Sequence, residues 1–508
     1  MLFSRWLGRI GPQLRLGSVP LFPFLPASSF LALPYSLSGK ITATHMHVMG
    51  LTGMGKSKLL ASIASQLILQ GYPCAVIDPH ADLAEDVLRL LLEHGFFRRP
   101  GAMQRVRYVD FAHPTRFIPF NVLKAPYSTY EIARNLVEAT TRAWPTLAGG
   151  AAPQLENLLL AGATVLIENE LPLTALTPLL TDQRYRQQLL RRVHDPQVLD
   201  FFRNRYESKS GSGHLSESTL RRAFLLTYPP PLRYSLGQQE NSLDFRALMD
   251  SRTSLICSLG GVDAQTQRLL GCLITVGFET AALSRADLPP QQRSHYHLIL
   301  DEFSQFSAQS GVALERVLAL TRKYGLFLTL AHQTWSQVDE QLQGALQNTT
   351  FVAFRLGQED VAWGARRVAP FDPYKIKYWT GGTTTNQPRP VYFSRSELQA
   401  QWEFALARLR LREAVSRVGS HTVLFRTASV SPAKPDVVRQ VAELREKYAT
   451  ELLTPRERIQ EYGFADAMSS AVSRAGSSGE TSGEPVPTRG DTGARSSSRL
   501  VPLEQNNQ

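Results

Sequence analysis

The feature that most restricts how this chain can fold is the octapeptide Gly50-Leu51-Thr52-Gly53-Met54-Gly55-Lys56-Ser57, which fits the pattern G-x-x-x-x-G-K-[ST]. Its glycines let the backbone turn tightly enough for amides to point inward at a phosphate, and a following helix adds its positive N-terminal end. The flanks carry the matching periodicities. Residues 45–49 read as a short strand, and Leu59, Leu60, Ile63, Ala64, Leu67 and Ile68 recur at helical spacing. Gly71 ends that helix and residues 75–77 open a second strand, giving a strand, glycine-rich loop, helix, strand unit. Further strands at 254–259, 297–300, 326–330 and 351–354 alternate with helices at 267–283 and 312–324. Strands alternating with helices predict an α/β fold, a P-loop NTPase core of the RecA-like type with a mainly parallel sheet covered on both faces.

The chemistry follows from that placement. The loop from Gly50 to Ser57, with Lys58 after it, is assigned to ATP: Lys56 to the β- and γ-phosphates, the Ser57 hydroxyl to Mg2+. A carboxylate for the metal is expected at the end of a buried strand, and Leu298-Ile299-Leu300-Asp301-Glu302 supplies it. Asp301 is assigned to the metal and Glu302 to orienting and deprotonating the attacking water. An Asp-Glu pair at a helix start also has a plainer use, favouring the dipole; the P-loop upstream tips the reading to catalysis. Gln333 ends the strand 326–330 and Ala331-His332, where it can sense the γ-phosphate or the lytic water. Arg322 precedes that strand and is assigned as a finger acting on a neighbouring subunit's γ-phosphate, with Arg355 as its rival. Its alternative role is a cation at a helix C-terminus. Asp78-Pro79-His80 ends the second strand on the ligand edge, with His80 more ordinary as a surface residue than as a metal ligand.

Length and punctuation divide the chain. Its 508 residues exceed one ordinary core. An irregular N-terminal extension is expected over 1–41, the first part of the NTPase core over 42–124, and its second part over 241–395. Between them, 125–240 reads as an inserted all-helical domain whose joints carry Pro and Gly, including Pro229, Pro230 and Pro231. A mixed segment follows over 396–467, with a helix expected at 397–415, a strand at 422–425 and a helix at 435–448. The tail 468–508 is rich in Ser, Gly, Thr and Pro and too poor in aliphatic residues to repay ordering.

The net charge of +11 suits a polyanionic partner such as DNA or an acidic membrane surface. Part of it falls in the helical insertion, where Arg191 and Arg192 head a basic surplus. Cys74, Cys257 and Cys272 lie in apolar runs without paired spacing, which excludes a disulfide framework and a zinc site. The apolar stretch 21–33 is broken by Pro23 and Pro26 and falls short of the roughly 20 apolar residues a spanning helix needs. No transmembrane segment is expected, and a cytoplasmic placement is, with membrane docking only peripheral and through partners.

Taken together, the run 45–49 into the P-loop, Val76-Ile77-Asp78-Pro79-His80, Leu300-Asp301-Glu302-Phe303, Arg322-Lys323-Tyr324-Gly325-Leu326 and Ala331-His332-Gln333 resemble the conjugative coupling-protein family of the TraG and TraD type. That family belongs with the FtsK and HerA motors, and the resemblance covers roughly 42–393. It implies a hexameric, DNA-stimulated ATPase that pumps DNA, in conjugation or into a type IV secretion channel, with a helical domain inserted in the motor. It also implies relaxase or secretion-channel proteins as partners. Many members carry transmembrane helices before the motor, which this stretch of sequence lacks, so a soluble HerA-like DNA-processing translocase stays open. So does an ATPase that remodels protein subunits of a secretion machine.

Overall fold

The computed structural model describes residues 12–20, 32–144, 152–206, 222–307, 318–338, 340–370, 372–381, 388–430 and 432–459. In chain order β1 (Leu14–Pro20), β2 (Ala32–Leu37) and β3 (Met46–Met49) precede α1 (Lys56–Leu69), β4 (Cys74–Asp78), α2 (Asp82–Glu93) and β5 (Val106–Asp110). A helical segment opens with α3 (Thr129–Ala143) and α4 (Ala152–Glu168) and continues in short helices to Asp250. Then come β6 (Ser254–Ser258), α5 (Ala264–Ser284), β7 (Tyr296–Leu300), β8 (Leu326–His332), β9 (Thr350–Ala353) and α6 (Gln358–Val368). A hairpin of β10 (Ile376–Thr380) and β11 (Arg389–Tyr392) leads to α7 (Arg395–Ala407), β12 (Glu413–Val418), β13 (His421–Thr427) and α8 (Pro435–Leu452).

One sheet of eleven strands organises these elements, in the order β2-β1-β13-β12-β9-β3-β8-β7-β4-β6-β5. From β9 to β5 every neighbouring pair is parallel. Registers such as Met49 opposite both His332 and Ala353, and Leu330 opposite Leu300, bring the strand C-termini to a common edge. Strands β3, β4, β6, β7 and β8 are buried along their whole length. Successive residues feed opposite faces: Val76, Ile256 and Ile299 pack with α1 and α2, while Ile77, Cys257 and Leu300 pack with α5 and the helical segment. This double coverage is why their sequences are continuously apolar rather than alternating.

The helical segment has no separate core among the described residues. Its Leu136, Leu158 and Leu166 share one apolar cluster with α5 and the sheet. Arg142 of α3 clamps Glu279 of α5 through two buried bonds of 2.8 and 2.7 Å. α5 is long and apolar enough to cross a bilayer, yet 72% of its most apolar window is buried inside the fold. Its apolarity is that of a core helix.

Two stretches differ from the sequence expectation. The first forty-one residues, expected to be irregular, contribute β1 and β2, which pair with each other and with β13 as an antiparallel wing. Leu14 and Leu16 are buried and Arg15 is exposed, a strand alternation that the surrounding prolines mask; Pro34 is tolerated because β2 is the edge strand. The described residues of the segment 396–467, which end at Ile459, do not form a separate mixed region either. β12 and β13 extend the main sheet, and Arg445 of α8 pairs with Glu85 and Asp110. A helix expected through Val415 stops at Ala407, because β12 takes the following residues into the sheet. The tail 468–508, most of the apolar stretch 21–33, the first part of the expected helix 312–324 and the basic residues Lys209 and Arg221 lie outside the described residues.

Candidate functional site

The loop after β3 can only be built with glycine at its start. A Cβ on Gly50 would lie 2.6 Å from the Phe354 Cβ, and Gly55, capping α1, takes φ 109°. The loop is tied to its surroundings by Leu51 N donating to Arg355 O at 2.9 Å. The amides of Thr52, Gly53 and Gly55 have no protein acceptor among the described residues, and the loop opens onto the N-terminus of a 14-residue helix. Lys56 is buried, its ammonium donating to Gly50 O at 2.8 Å and Leu51 O at 3.4 Å. Burial pulls its pKa down, opposed by the negative charges of Glu302 and Asp301.

β8 lies between β3 and β7, so the strand ending in His332-Gln333 separates the P-loop strand from the Asp301-Glu302 strand. Each assigned side chain then meets the next. Ser57 Oγ donates to Asp301 Oδ2 at 2.8 Å. Thr52 Oγ1 donates to Gln333 Oε1 at 2.9 Å, and Gln333 Nε2 donates to Glu302 Oε1 at 2.9 Å. The result is a polar relay from loop to acid. Glu302 is buried and held at φ 47°, a left-handed conformation that costs a residue with a side chain about 1–3 kcal/mol. Strain of this kind persists where surrounding contacts fix an orientation, here the aim of the carboxylate at Gln333.

Behind the relay, His47 of β3 and His332 of β8 bring their Nε2 atoms to 2.6 Å. Both rings are buried, and burial holds both pKa values down, that of His332 at about 4. One neutral ring therefore donates to the other, with the donor set by tautomer.

The remaining assignments separate. Lys58, grouped with the loop from sequence, sits one residue further round α1 and turns its ammonium to Asp86 of α2. Asp78 is a buried structural acceptor, taking the amides of His80 at 2.8 Å and Ala84 at 2.9 Å to start α2, while the His80 side chain is exposed. Burial raises the Asp78 pKa despite those two bonds. Arg322 is exposed in a tight turn (Thr321–Tyr324) before β8, at the strand N-termini, on the edge opposite its own P-loop. Arg355 follows β9 on the P-loop edge.

Two features escape sequence reading. Arg412 comes to the P-loop, its amide donating to Met54 O at 3.2 Å, only because β12 runs antiparallel beside β9. The β10–β11 ribbon stands outside the main sheet and exposes Tyr374, Tyr378 and Trp379 beside Lys375 and Lys377. Its alternation of Lys with aromatic residues was the available signal.

A hydroxyl and a carboxylate converging at Ser57 and Asp301 are hard oxygen donors. Mg2+ keeps several waters and shares phosphate oxygens, so this set fits it without a protein cage. Among the described residues no cluster of three or more His, Cys, Asp or Glu side chains offers a competing metal site.

The fold and the site define a P-loop NTPase with a RecA-like core. Residues 28–126, from before β2 to past β5, match the sequence family described as the central domain of helicase HerA. Among solved structures, the bacterial conjugative coupling protein TrwBΔN70 is similar with a TM-score of 0.50 at 16% identity, covering 79% of this chain and 88% of that one. TrwB in complex with ADP and Mg2+ is similar with a TM-score of 0.51 at 15% identity, covering 84% of this chain and 96% of the other. No curated protein sequence matches the chain. At such identities the structural likeness speaks for the fold, and it agrees with the coupling-protein resemblance carried by the motifs.

Proposed function

We propose that the chain is an ATP-driven DNA translocase or coupling ATPase serving conjugative or type IV secretion DNA transfer. The observation that carries this reading is the Thr52–Gln333–Glu302 relay, which links the phosphate loop to a strained acid through the strand between them. When bound, ATP with Mg2+ supplies the electrophilic phosphorus and part of the charge neutralisation. Lys56 faces the terminal phosphates and offsets charge that develops there. Ser57 and Asp301 hold the metal, and Glu302 takes a proton from the attacking water. Gln333 bonds both the loop and the acid, so a change at either end is felt at the other. That is the requirement of a motor rather than of a passive nucleotide binder.

DNA as the substrate is supported by the +11 net charge and by the exposed ribbon, where Trp379 and Tyr378 offer stacking faces and Lys375 a backbone contact. Arg322, remote from its own loop, serves the neighbouring subunit of a hexameric ring. Relaxase or channel proteins then dock on a cytoplasmic motor. Steady-state ATPase rates of the purified chain with no nucleic acid, single-stranded DNA and duplex DNA test the reading. Stimulation by DNA is expected. A rate that ignores both DNAs but rises with a secretion-channel protein makes the chain a protein-remodelling ATPase instead.

A further inference from the structure

The edge of the sheet remote from the P-loop carries a cavity of about 890 Å³, in the size range of small-ligand sites. It lies where β3 and β9 begin and β12 ends, lined by Thr44, Asn348, Thr349, Arg366, Arg367 and Arg417 among others. Among the described residues no Asp or Glu lines it.

Three arginines meet there in different settings. Arg367 is held rigidly: its Nη2 donates to Leu346 O, Thr349 O and Thr349 Oγ1, and its guanidinium lies over Phe351 at 5.1 Å. Arg417 donates from Nε to Gly419 O at 3.0 Å and weakly from Nη1 to Val368 and Ala369 carbonyls at 3.4 Å. Arg366 is exposed and donates only from Nε, to Ala362 O. Every guanidinium thus keeps at least one Nη without a protein acceptor among the described residues, and none has a carboxylate partner.

These three are exposed or half-buried; of the four arginines the fold buries fully, Arg186 donates to the Leu179 and Leu180 carbonyls and the other three have carboxylate partners. Arg142 pairs with Glu138 and Glu279, Arg89 with Asp86 and Glu93, and Arg285 with Asp250. A buried cation without a counter-charge is costly, so natural cores pair it. At this edge burial and the neighbouring Arg417 lower the Arg367 pKa to about 10, the direction that an uncompensated cation takes. A similar carboxylate-free setting recurs at Arg412, beside the P-loop, where phosphate is expected.

We propose that this cavity is a second phosphate-binding site, in which Arg366, Arg367 and Arg417 hold the oxygens of a nucleotide-type phosphate and the Asn348 side-chain amide completes the contacts, while the Thr349 hydroxyl, donating to Leu346 O, helps fix Arg367. Guanidinium forks suit phosphate oxygens, and the fixed fork of Arg367 supplies pre-organisation. The same chemistry serves a free nucleotide or the phosphodiester backbone of DNA. The site stands on different residues from the P-loop; as a free-nucleotide site it is independent of the function proposed above, and as a DNA-backbone site it deepens that reading.

Calorimetry on the full chain tests it in a Lys56→Ala background, which weakens phosphate binding at the P-loop. The probes are inorganic pyrophosphate and a short single-stranded oligonucleotide. Pyrophosphate binding is expected to persist in that background and to weaken at least tenfold when Arg366→Gln and Arg417→Gln are added. Arg98→Gln with Arg99→Gln, an exposed basic pair elsewhere, is expected to leave it unchanged. If the cavity substitutions weaken the oligonucleotide as well, the ligand is DNA backbone; if they weaken pyrophosphate alone, it is a free nucleotide. Equal pyrophosphate and oligonucleotide affinities with and without the cavity substitutions overturn the proposal, as does a Lys56→Ala chain that binds neither probe. Matching thermal melts separate loss of the site from loss of the fold, and ATPase activity of Arg366→Gln and Arg417→Gln in the otherwise unaltered chain reports on the P-loop separately.

Discussion

The two edges of the parallel strands in the central sheet carry opposite chemistry on the same scaffold. At the C-terminal edge one buried cation, Lys56, faces two buried carboxylates and an amide, and each assigned group has a partner. At the N-terminal edge, in the cavity where β3 and β9 begin, three arginines gather without acids among the described residues and are only partly satisfied, whereas further along the same edge Arg285 and Arg246 pair with Asp250 and Asp287. Strand polarity explains the first: loops after parallel strands converge there, so residues far apart in sequence meet. The second edge receives residues from strand starts and from the antiparallel β12, so its charge balance is set by what comes to it from outside. A balanced edge suits turnover, and an unbalanced one suits holding an anion.

The largest effect should come from the balanced edge. Lys56→Ala is expected to abolish ATP hydrolysis, because the charge developing on phosphate then lacks its buried cation. Glu302→Gln is expected to bind ATP as the parent does and to slow turnover by a factor on the order of a hundred to ten thousand, since an amide keeps the shape but takes no proton. Nucleotide binding followed alongside steady-state rates separates the two. If Glu302→Gln loses ATP as fully as Lys56→Ala, the division of roles at this edge is wrong.

The next prediction crosses the edges. Arg322 sits at the strand starts, so within one subunit it is on the wrong side of the sheet for the P-loop. A finger acting in trans needs no other position. Arg322→Ala alone is expected to reduce ATPase activity on the order of a thousandfold. Mixed with Lys56→Ala subunits it should recover part of that activity, because some interfaces then pair an intact loop with an intact arginine. Parent-level turnover by Arg322→Ala would remove it from the mechanism and leave Arg355 and Arg412, both on the P-loop edge, as the cations to examine.

The edges also differ in how far they could be read from the sequence. The residues assigned to the phosphate loop and the relay each followed a local signal: the glycine spacing, the acids after an apolar run, the Gln after another. Their meeting followed from parallel topology, which alternating strands and helices imply. Arg412 and Arg417 had no such signal, because β12 lies in a stretch whose period suggested a helix and its register against β9 is a tertiary fact. The antiparallel wing of β1 and β2 was hidden for a related reason. Prolines that break a strand in the middle of a sheet are harmless at its edge, and only the assembled order shows where the edge is. Lys58 shows the converse error, a residue credited with its neighbours' role although its helical position turns it to Asp86.

The smallest effect concerns the relay itself and tests whether the catalytic edge works as one unit. Thr52→Val removes the hydroxyl that donates to Gln333 and leaves the loop's shape, so the loss is one exposed hydrogen bond, about 0.5–1.5 kcal/mol or roughly two- to tenfold in turnover. Gln333→Ala breaks both bonds and leaves Glu302 without its donor, and a larger fall is expected. If loop and acid communicate through the glutamine, Thr52→Val should add nothing in a chain that already carries Gln333→Ala, because the hydroxyl's partner is gone. A double-mutant cycle on ATPase rates measures this coupling. Additive losses would mean that Thr52 and Glu302 act separately and that the Gln333 contacts merely pack the strand end. A coupling equal to the whole Thr52→Val effect would identify Gln333 as the group through which the phosphate loop and the catalytic acid sense each other.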